Sequence, residues 1–312
     1  MVGIRAGVGK DVFCVSLVVL LAAGPCGLGG LLGTEELKLV EERAIVLPSA
    51  LVITQGSLSD HGHILLWGPE NSWIVQEGEA VPLCGYPVPH VLNARIGVVG
   101  EVEAILGPPN QGLLISSQEG CQFKELGNAL VELEAAASVG NGWIALGAGG
   151  GLIEVTLTGQ TRSMPASSRS VATLAEAASD NLPSWMAPAG GGIILGQRGP
   201  PFTWLFSSLE AGEILATPFD REAALAVQEM VSTGVVSASP GFLQVVADLR
   251  SERRTLITFD QDGKRIRATE VAVPLGVLAS NERTKRILAV RRTDLLEVVV
   301  YNYSWKPTRG RE

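Results

Sequence analysis

Only three histidines occur in the chain, and two of them stand as His61-Gly62-His63, a spacing that could offer two imidazoles to one zinc or copper ion. Such a site needs a third or fourth ligand, for which Cys84 or His90 on another loop is nearest in sequence. The competing reading is a pair of solvated turn histidines. Carboxylates supply a second candidate: Glu132, Glu134 and Glu176 lie in apolar, strand-like runs, as does Asn93. Glu132 and Glu134 are two apart and share one face of a regular strand, where they could hold a divalent cation. A serine triad is not indicated, because there is no Gly-x-Ser-x-Gly elbow and no histidine after His90. The glycine-rich run Gly147 to Gly151 lacks the Lys-Ser/Thr and the helix of a phosphate loop and reads as a hairpin turn.

Arginines form the third constellation. Arg198, then Arg250, Arg253 and Arg254, then Arg291 and Arg292 fall in three successive segments that join apolar strands. The corresponding earlier segments, Gly68 to Asn71, Pro108 to Gln111 and Gly147 to Gly151, carry no basic residue. A guanidinium fork donates paired hydrogen bonds to carboxylate, phosphate or sulfate. Asp248, Glu252 and Asp294 lie close in sequence and could neutralise part of this charge. Whether the six arginines converge depends on the elements that carry them.

Those elements recur. Charged residues make up only 18% of the chain and glycine is abundant, which suits short strands and tight turns better than long helices. One unit repeats: an apolar strand, a turn, a second apolar strand, a turn and a hairpin. Its clearest copy runs from Gly241 to Asp248, through Arg254 to Asp260, and past Asp262-Gly263 to Val271. Second strands start near Ile64, Ala104, Trp143, Ile193, Phe242 and Arg286, at intervals of 40, 39, 50, 49 and 44 residues, and six starts predict six blades. The inner strands are expected at Ala50 to Gly56, Val91 to Val99, Ala129 to Ser138, Ser170 to Ser179, Ala224 to Thr233 and Val271 to Ser280. Turns between third and fourth strands are expected at Glu77-Gly78, Glu119-Gly120, Thr158-Gly159, Ala211-Gly212 and Asp262-Gly263. That is one turn fewer than the blades, so the last blade lacks an outer strand, and Leu37 to Leu47 is the unassigned strand that can supply it. The expected fold is all-β, a six-bladed β-propeller closed by pairing the N-terminal strand with Glu297 to Tyr303.

The unit from Gly241 to Ile266, with Thr255-Leu-Ile-Thr-Phe-Asp-Gln-Asp-Gly-Lys-Arg-Ile at its centre, resembles the blades of bacterial extracytoplasmic six-bladed propellers of the NHL and TolB-like groups. The resemblance is close from about 241 to 305 and extends as a pattern over 36–305. It implies an extracytoplasmic compartment and the propeller fold more than any activity.

Residues 1–30 read as a signal peptide or signal-anchor: Arg5 and Lys10 precede the uncharged run Val12 to Ala23 and a group of small residues. Lipidation at Cys26 is a third reading, although Pro25 departs from the usual pattern. Residues 36–305 then form one propeller domain and 306–312 a tail. Without 1–30 the chain keeps 22 basic and 31 acidic residues, and a net charge of −9 disfavours nucleic acid as a partner. Cys84 and Cys121 either pair in an oxidising compartment or remain small apolar residues. The expectation is a non-enzymatic binding or scaffold protein, periplasmic or secreted, with no cofactor. It would contact a protein or anionic ligand of the cell envelope through Arg198, Arg250, Arg253, Arg254, Arg291 and Arg292. Membrane contact would come only through an uncleaved anchor or lipidated Cys26. The alternative is a metal-dependent hydrolase or lactonase with its site in the central channel.

Overall fold

A computed structural model describes residues 35–97, 100–117, 120–127, 132–148, 150–164, 185–189, 192–196, 203–207, 215–219, 230–248, 253–271 and 273–307. The 1–30 segment, with Cys26, lies outside these, as do Arg198, Arg250, Glu176, Ala211-Gly212 and the run 170–179. Strand pairing divides the described chain into six four-stranded antiparallel sheets. Their inner strands are Gln55–Leu58, Val91–Ile96, Leu133–Val139, Trp185–Ala189, Met230–Ala238 and Leu275–Asn281, and each contacts the next in a closed cycle around one axis. This is a six-bladed β-propeller.

The second strand of each blade explains why the sequence is so apolar. Ile64, Leu65, Leu66 and Trp67 are all buried. Successive side chains point to opposite faces of a strand. Leu65 and Trp67 therefore enter the apolar cluster between blades one and two, while Ile64 and Leu66 enter the cluster between blades six and one. Trp143 with Ala145, and Ile144 with Leu146, divide in the same way between the two neighbours of blade three. The described residues form six such clusters, one at each blade interface. A strand buried on both faces reads as a continuous apolar run, which is why these starts are legible at Ile64, Val102, Gly142, Gly192, Gly241 and Arg286.

Turns repeat one geometry. In Asp260 to Lys264 the Asp260 amide donates to the Lys264 carbonyl, and Asp260 Oδ1 accepts from the amides of Asp262 and Lys264, with Gly263 at φ 76°. Glycine adopts that left-handed backbone without a Cβ clash. The same pattern closes Ser59 to His63, where Ser59 Oγ accepts from the His63 amide and Gly62 has φ 82°. His61-Gly62-His63 is thus built as a hairpin turn.

Closure follows the expectation. The strand Glu35–Leu47 runs antiparallel to Leu296–Pro307, with Leu37 opposite Trp305 and Leu47 opposite Leu296. A bulge between Glu41 and Arg43 shifts the alternation, so odd-numbered residues serve both neighbours. Before it, Leu37 and Leu39 pack toward blade five; after it, Ile45 and Leu47 pack toward blade one. Glu36 bonds Arg267 of blade five at 2.5 Å, and Arg43 donates to the Gly62 carbonyl of blade one.

Several expected inner strands are displaced. The fourth is Trp185–Ala189 rather than 170–179, the fifth is Met230–Ala238 rather than 224–233, and the first begins at Gln55 rather than Ala50. An inner strand must lie one short hairpin before its second strand, and apolar content farther upstream does not satisfy that constraint. Cys84 and Cys121 form a disulfide, with Cα atoms 5.7 Å apart, joining the segment after the outer strand of blade one to the outer strand Gly120–Glu125 of blade two.

Candidate functional site

The inner strands enclose a cavity of about 470 Å³, which opens on the face where inner strands begin and second strands end. This upper mouth holds Thr54, Pro274, Arg254 and Arg292. A second cavity of about 360 Å³ opens at the opposite end, beside Gly140, Asn281, Glu282 and Arg283. Ser138, Pro188 and Ser280 border both, so the two lie end to end along the axis. At the lower end Glu282 accepts a hydrogen bond from Ser237, and Arg283 bonds Asp60 at 2.6 Å.

Strand geometry divides the expected arginine face. Arg291 and Arg292 end one strand as neighbours, and alternation sends them to opposite sides. Arg291 turns toward Glu297, at 2.7 Å, and Glu41 of the closing strand, at 3.0 Å. These hydrogen bonds hold its guanidinium charged and raise its pKa further. Arg292 turns toward blade one, where it donates to the Leu51 carbonyl at 3.1 Å while lining the upper cavity. Arg253 lies 3.4 Å from Glu270, and both are exposed. Arg254 begins the third strand of blade five and lines the cavity. The structure therefore brings Arg254 and Arg292 to one mouth and commits Arg253 and Arg291 to carboxylates. Among the described lining residues, Arg254 and Arg292 carry the only charges.

Polar groups on the cavity wall are mostly satisfied from within. Gln244 Nε2 donates to Ser232 Oγ at 3.2 Å, and the Trp67 indole donates to Gln55 at the same distance. Trp185, missed from the sequence because the fourth inner strand was placed upstream, lies on the wall over Gly196. A Cβ on Gly196 would fall within van der Waals radius of that indole. The signal that could have found Trp185 is the glycine run Gly190 to Gly192 after it, a hairpin signature.

The other candidates disperse. Asn93 stays on the wall of the upper cavity, buried, with its Oδ1 accepting from the Trp143 indole at 3.2 Å. Glu132 precedes its strand, and a bulge leaves Glu134 between the paired residues Leu133 and Ala135. The regular alternation that would put both carboxylates on one face is broken there. His61, His63 and His90 are exposed, and among the described residues no group of three or more His, Cys, Asp or Glu side chains could hold a metal ion.

Burial, reinforced by the charge of Glu132, raises the Glu134 carboxyl above its ordinary value of 4.5. One of its oxygens is buried without a partner. A carboxyl whose folded pKa exceeds its unfolded pKa adds no penalty below the unfolded value and destabilises as pH rises through the folded one. Glu134→Gln, which removes the charge, is therefore expected to stabilise the protein at pH 7. The gain should shrink as pH approaches the ordinary carboxylate range. Thermal melts of both forms across pH check this, and a variant less stable at pH 7 would contradict it.

Neither a protein-family description nor a curated protein matches this chain. Among solved structures it is similar to a catalytically inactive virginiamycin B lyase from Staphylococcus aureus with quinupristin, at 11% identity and a TM-score of 0.51, covering 85% of this chain and 99% of that one. It is also similar to YCF48 from Cyanidioschyzon merolae, at 13% identity and a TM-score of 0.45, covering 82% and 98%. Likeness at such identity concerns the fold, and the lyase agrees with the propeller seen here.

Proposed function

We propose that this chain is an extracytoplasmic binding or scaffold propeller of the NHL and TolB-like kind, without catalytic activity, that holds an anionic partner in the cell envelope through its upper face. Residues 1–30 act as signal peptide or signal-anchor and 36–305 as the binding domain. The observation that carries the reading is the pair Arg254 and Arg292 at a concave mouth with no acidic residue among its described lining, on a chain of net charge −8. Concentrated positive potential in an acidic molecule orients encounter with an acidic partner, and salt weakens the effect. The export-like sequence of 1–30 and the Cys84–Cys121 disulfide both support an oxidising compartment.

Pull-down from soluble and membrane envelope fractions, with wild type and an Arg254→Ala/Arg292→Ala variant, tests it. Capture is expected to fall about tenfold or more in the variant, because charged hydrogen bonds are lost. Stability should change by about 1 kcal/mol or less, since partly exposed charges contribute little to folding. Equal capture by both forms at low salt would sink the proposal.

A further inference from the structure

Of the phenylalanine, tyrosine and tryptophan side chains described, only two are exposed, Tyr86 at 53% and Phe123 at 49%. Each lies two residues beyond a half-cystine of the Cys84–Cys121 bond, at the outer rim of blades one and two. Strand pairing sets their neighbours. On Gly120–Glu125, Phe123 pairs with Leu114, which enters the cluster between blades one and two, and alternation puts Cys121 and Glu125 on that same side. On Glu79–Pro82, Val81 pairs with Ile74 of the same cluster, so exposed Val81 and Glu79 face blade two. These two outermost strands are thus the walls of one interblade cleft, and the disulfide spans it.

Charge in the cleft is of one sign. Glu79 and Glu125 are exposed, and no ion pair among the described residues engages either. The two basic residues of these blades turn elsewhere. Arg95 bonds Glu103 and the Gly140 carbonyl, and a Cβ on Gly159 of blade three would lie 3.5 Å from Lys124 Cε. Residues 55–127 hold eight acidic and two basic residues, whereas 253–307 hold six and eleven, so negative charge is concentrated on this side of the ring. Single exposed apolar residues are ordinary, but an aromatic pair beside a covalent link, rimmed by unpaired carboxylates, is complementary to a partner both apolar and cationic. The disulfide fixes the two walls before binding, which lowers the entropy cost of ordering them.

We infer that the cleft between blades one and two docks an extended segment of a partner protein in which apolar residues are interspersed with lysine or arginine. Val81, Tyr86 and Phe123 take its apolar side chains, and Glu79 and Glu125 its cations. The extended form follows from the walls: Glu79 with Val81, and Phe123 with Glu125, set an acid and an apolar group two residues apart on one face, about 6.5 Å. An extended segment presents its own side chains at that spacing. This surface is separate from the upper mouth and opposite in sign, and neither reading depends on the other.

Calorimetric titration of the full chain at low salt with acetylated and amidated Lys-Lys-Leu-Leu-Lys-Lys-Leu tests it, since each face of that peptide, when extended, alternates lysine with leucine. It is expected to bind about tenfold or more tightly than a counterpart with serine for leucine, or one with glutamate for lysine. Phe123→Ser should weaken it about tenfold, as should Glu79→Gln/Glu125→Gln. Asp262→Asn/Asp294→Asn, which removes the same charge elsewhere, should change it by less than about twofold. Four results would overturn the inference: no saturable binding, the serine counterpart binding as tightly, binding unmoved in the folded Phe123 and glutamate variants, or self-association that those variants abolish, which would make the occupant a second copy of this chain. The peptide comparison needs only the wild-type chain, so it stands even where a variant fails to fold. Arginine-dependent capture of an envelope partner alongside absent peptide binding would remove this inference and leave the upper-face reading intact.

Discussion

Removal of residues 31–48 is expected to lower the melting temperature by more than about 10 °C or to cause aggregation on folding. The deleted strand contributes Leu37 and Leu39 to the interface with blade five, and Ile45 and Leu47 to that with blade one. Full burial of one such side chain is worth about 1.5–3 kcal/mol, and three of the four are partly buried, so the apolar loss alone is of the order of 5 kcal/mol. At about 2–4 °C per kcal/mol this gives the stated shift before the ladder to Leu296–Pro307 is considered. The deletion also leaves that long strand as a bare edge and strips Arg291 of Glu41 and Arg286 of Glu42. Arg291→Ala, which cuts the same staple at one point, should cost about 1–3 kcal/mol, whereas Arg292→Ala should cost about 1 kcal/mol or less. Calorimetry and light scattering read these outcomes. A deleted chain that stays dispersed and melts within a few degrees of wild type would mean that the ring closes without this strand.

Reduction of Cys84–Cys121, or its replacement by Cys84→Ala/Cys121→Ala, is expected to destabilise the protein by about 3–4 kcal/mol, the chain-entropy value for a loop of this separation. The two cysteines are 37 residues apart in sequence. That stability change corresponds to a melting shift of about 6–16 °C. The bond ties the entry of blade two to its outermost strand, where Ser116 Oγ also donates to the Leu83 carbonyl at 3.1 Å. Cys84 and Cys121 both flank the cluster between blades one and two, so reduction should first weaken protection of amides in that pair of blades. Melts with and without reductant, followed by hydrogen exchange, provide the measurement. A midpoint unchanged by full reduction would show that the ring already fixes these segments.

Blade number and closure were legible in the sequence because both depend on local, repeated chemistry. A strand buried on both faces must be apolar throughout, as in Ile64 to Trp67, and a hairpin such as Asp260 to Lys264 marks its own glycine. An unpaired strand at one end and a three-stranded blade at the other left one plausible pairing. The strand before Ile193 was misplaced, because composition alone does not distinguish Trp185–Ala189 from an alanine-rich run upstream. What only the tertiary structure decided is direction. Sequence places Arg291 beside Arg292, but alternation sends one to Glu41 and Glu297 and the other to the channel mouth. Sequence likewise sets Glu132 and Glu134 on one face of a regular strand, and a bulge breaks that alternation while leaving the two close enough for the charge of Glu132 to act on Glu134. Spacing of 37 residues left the cysteines open to either state, since a disulfide requires Cα atoms within about 7 Å and that proximity comes from ring curvature. The convergence of Arg254 and Arg292 has the same origin: they belong to two blades, and closure of the ring is what sets them at one cavity mouth.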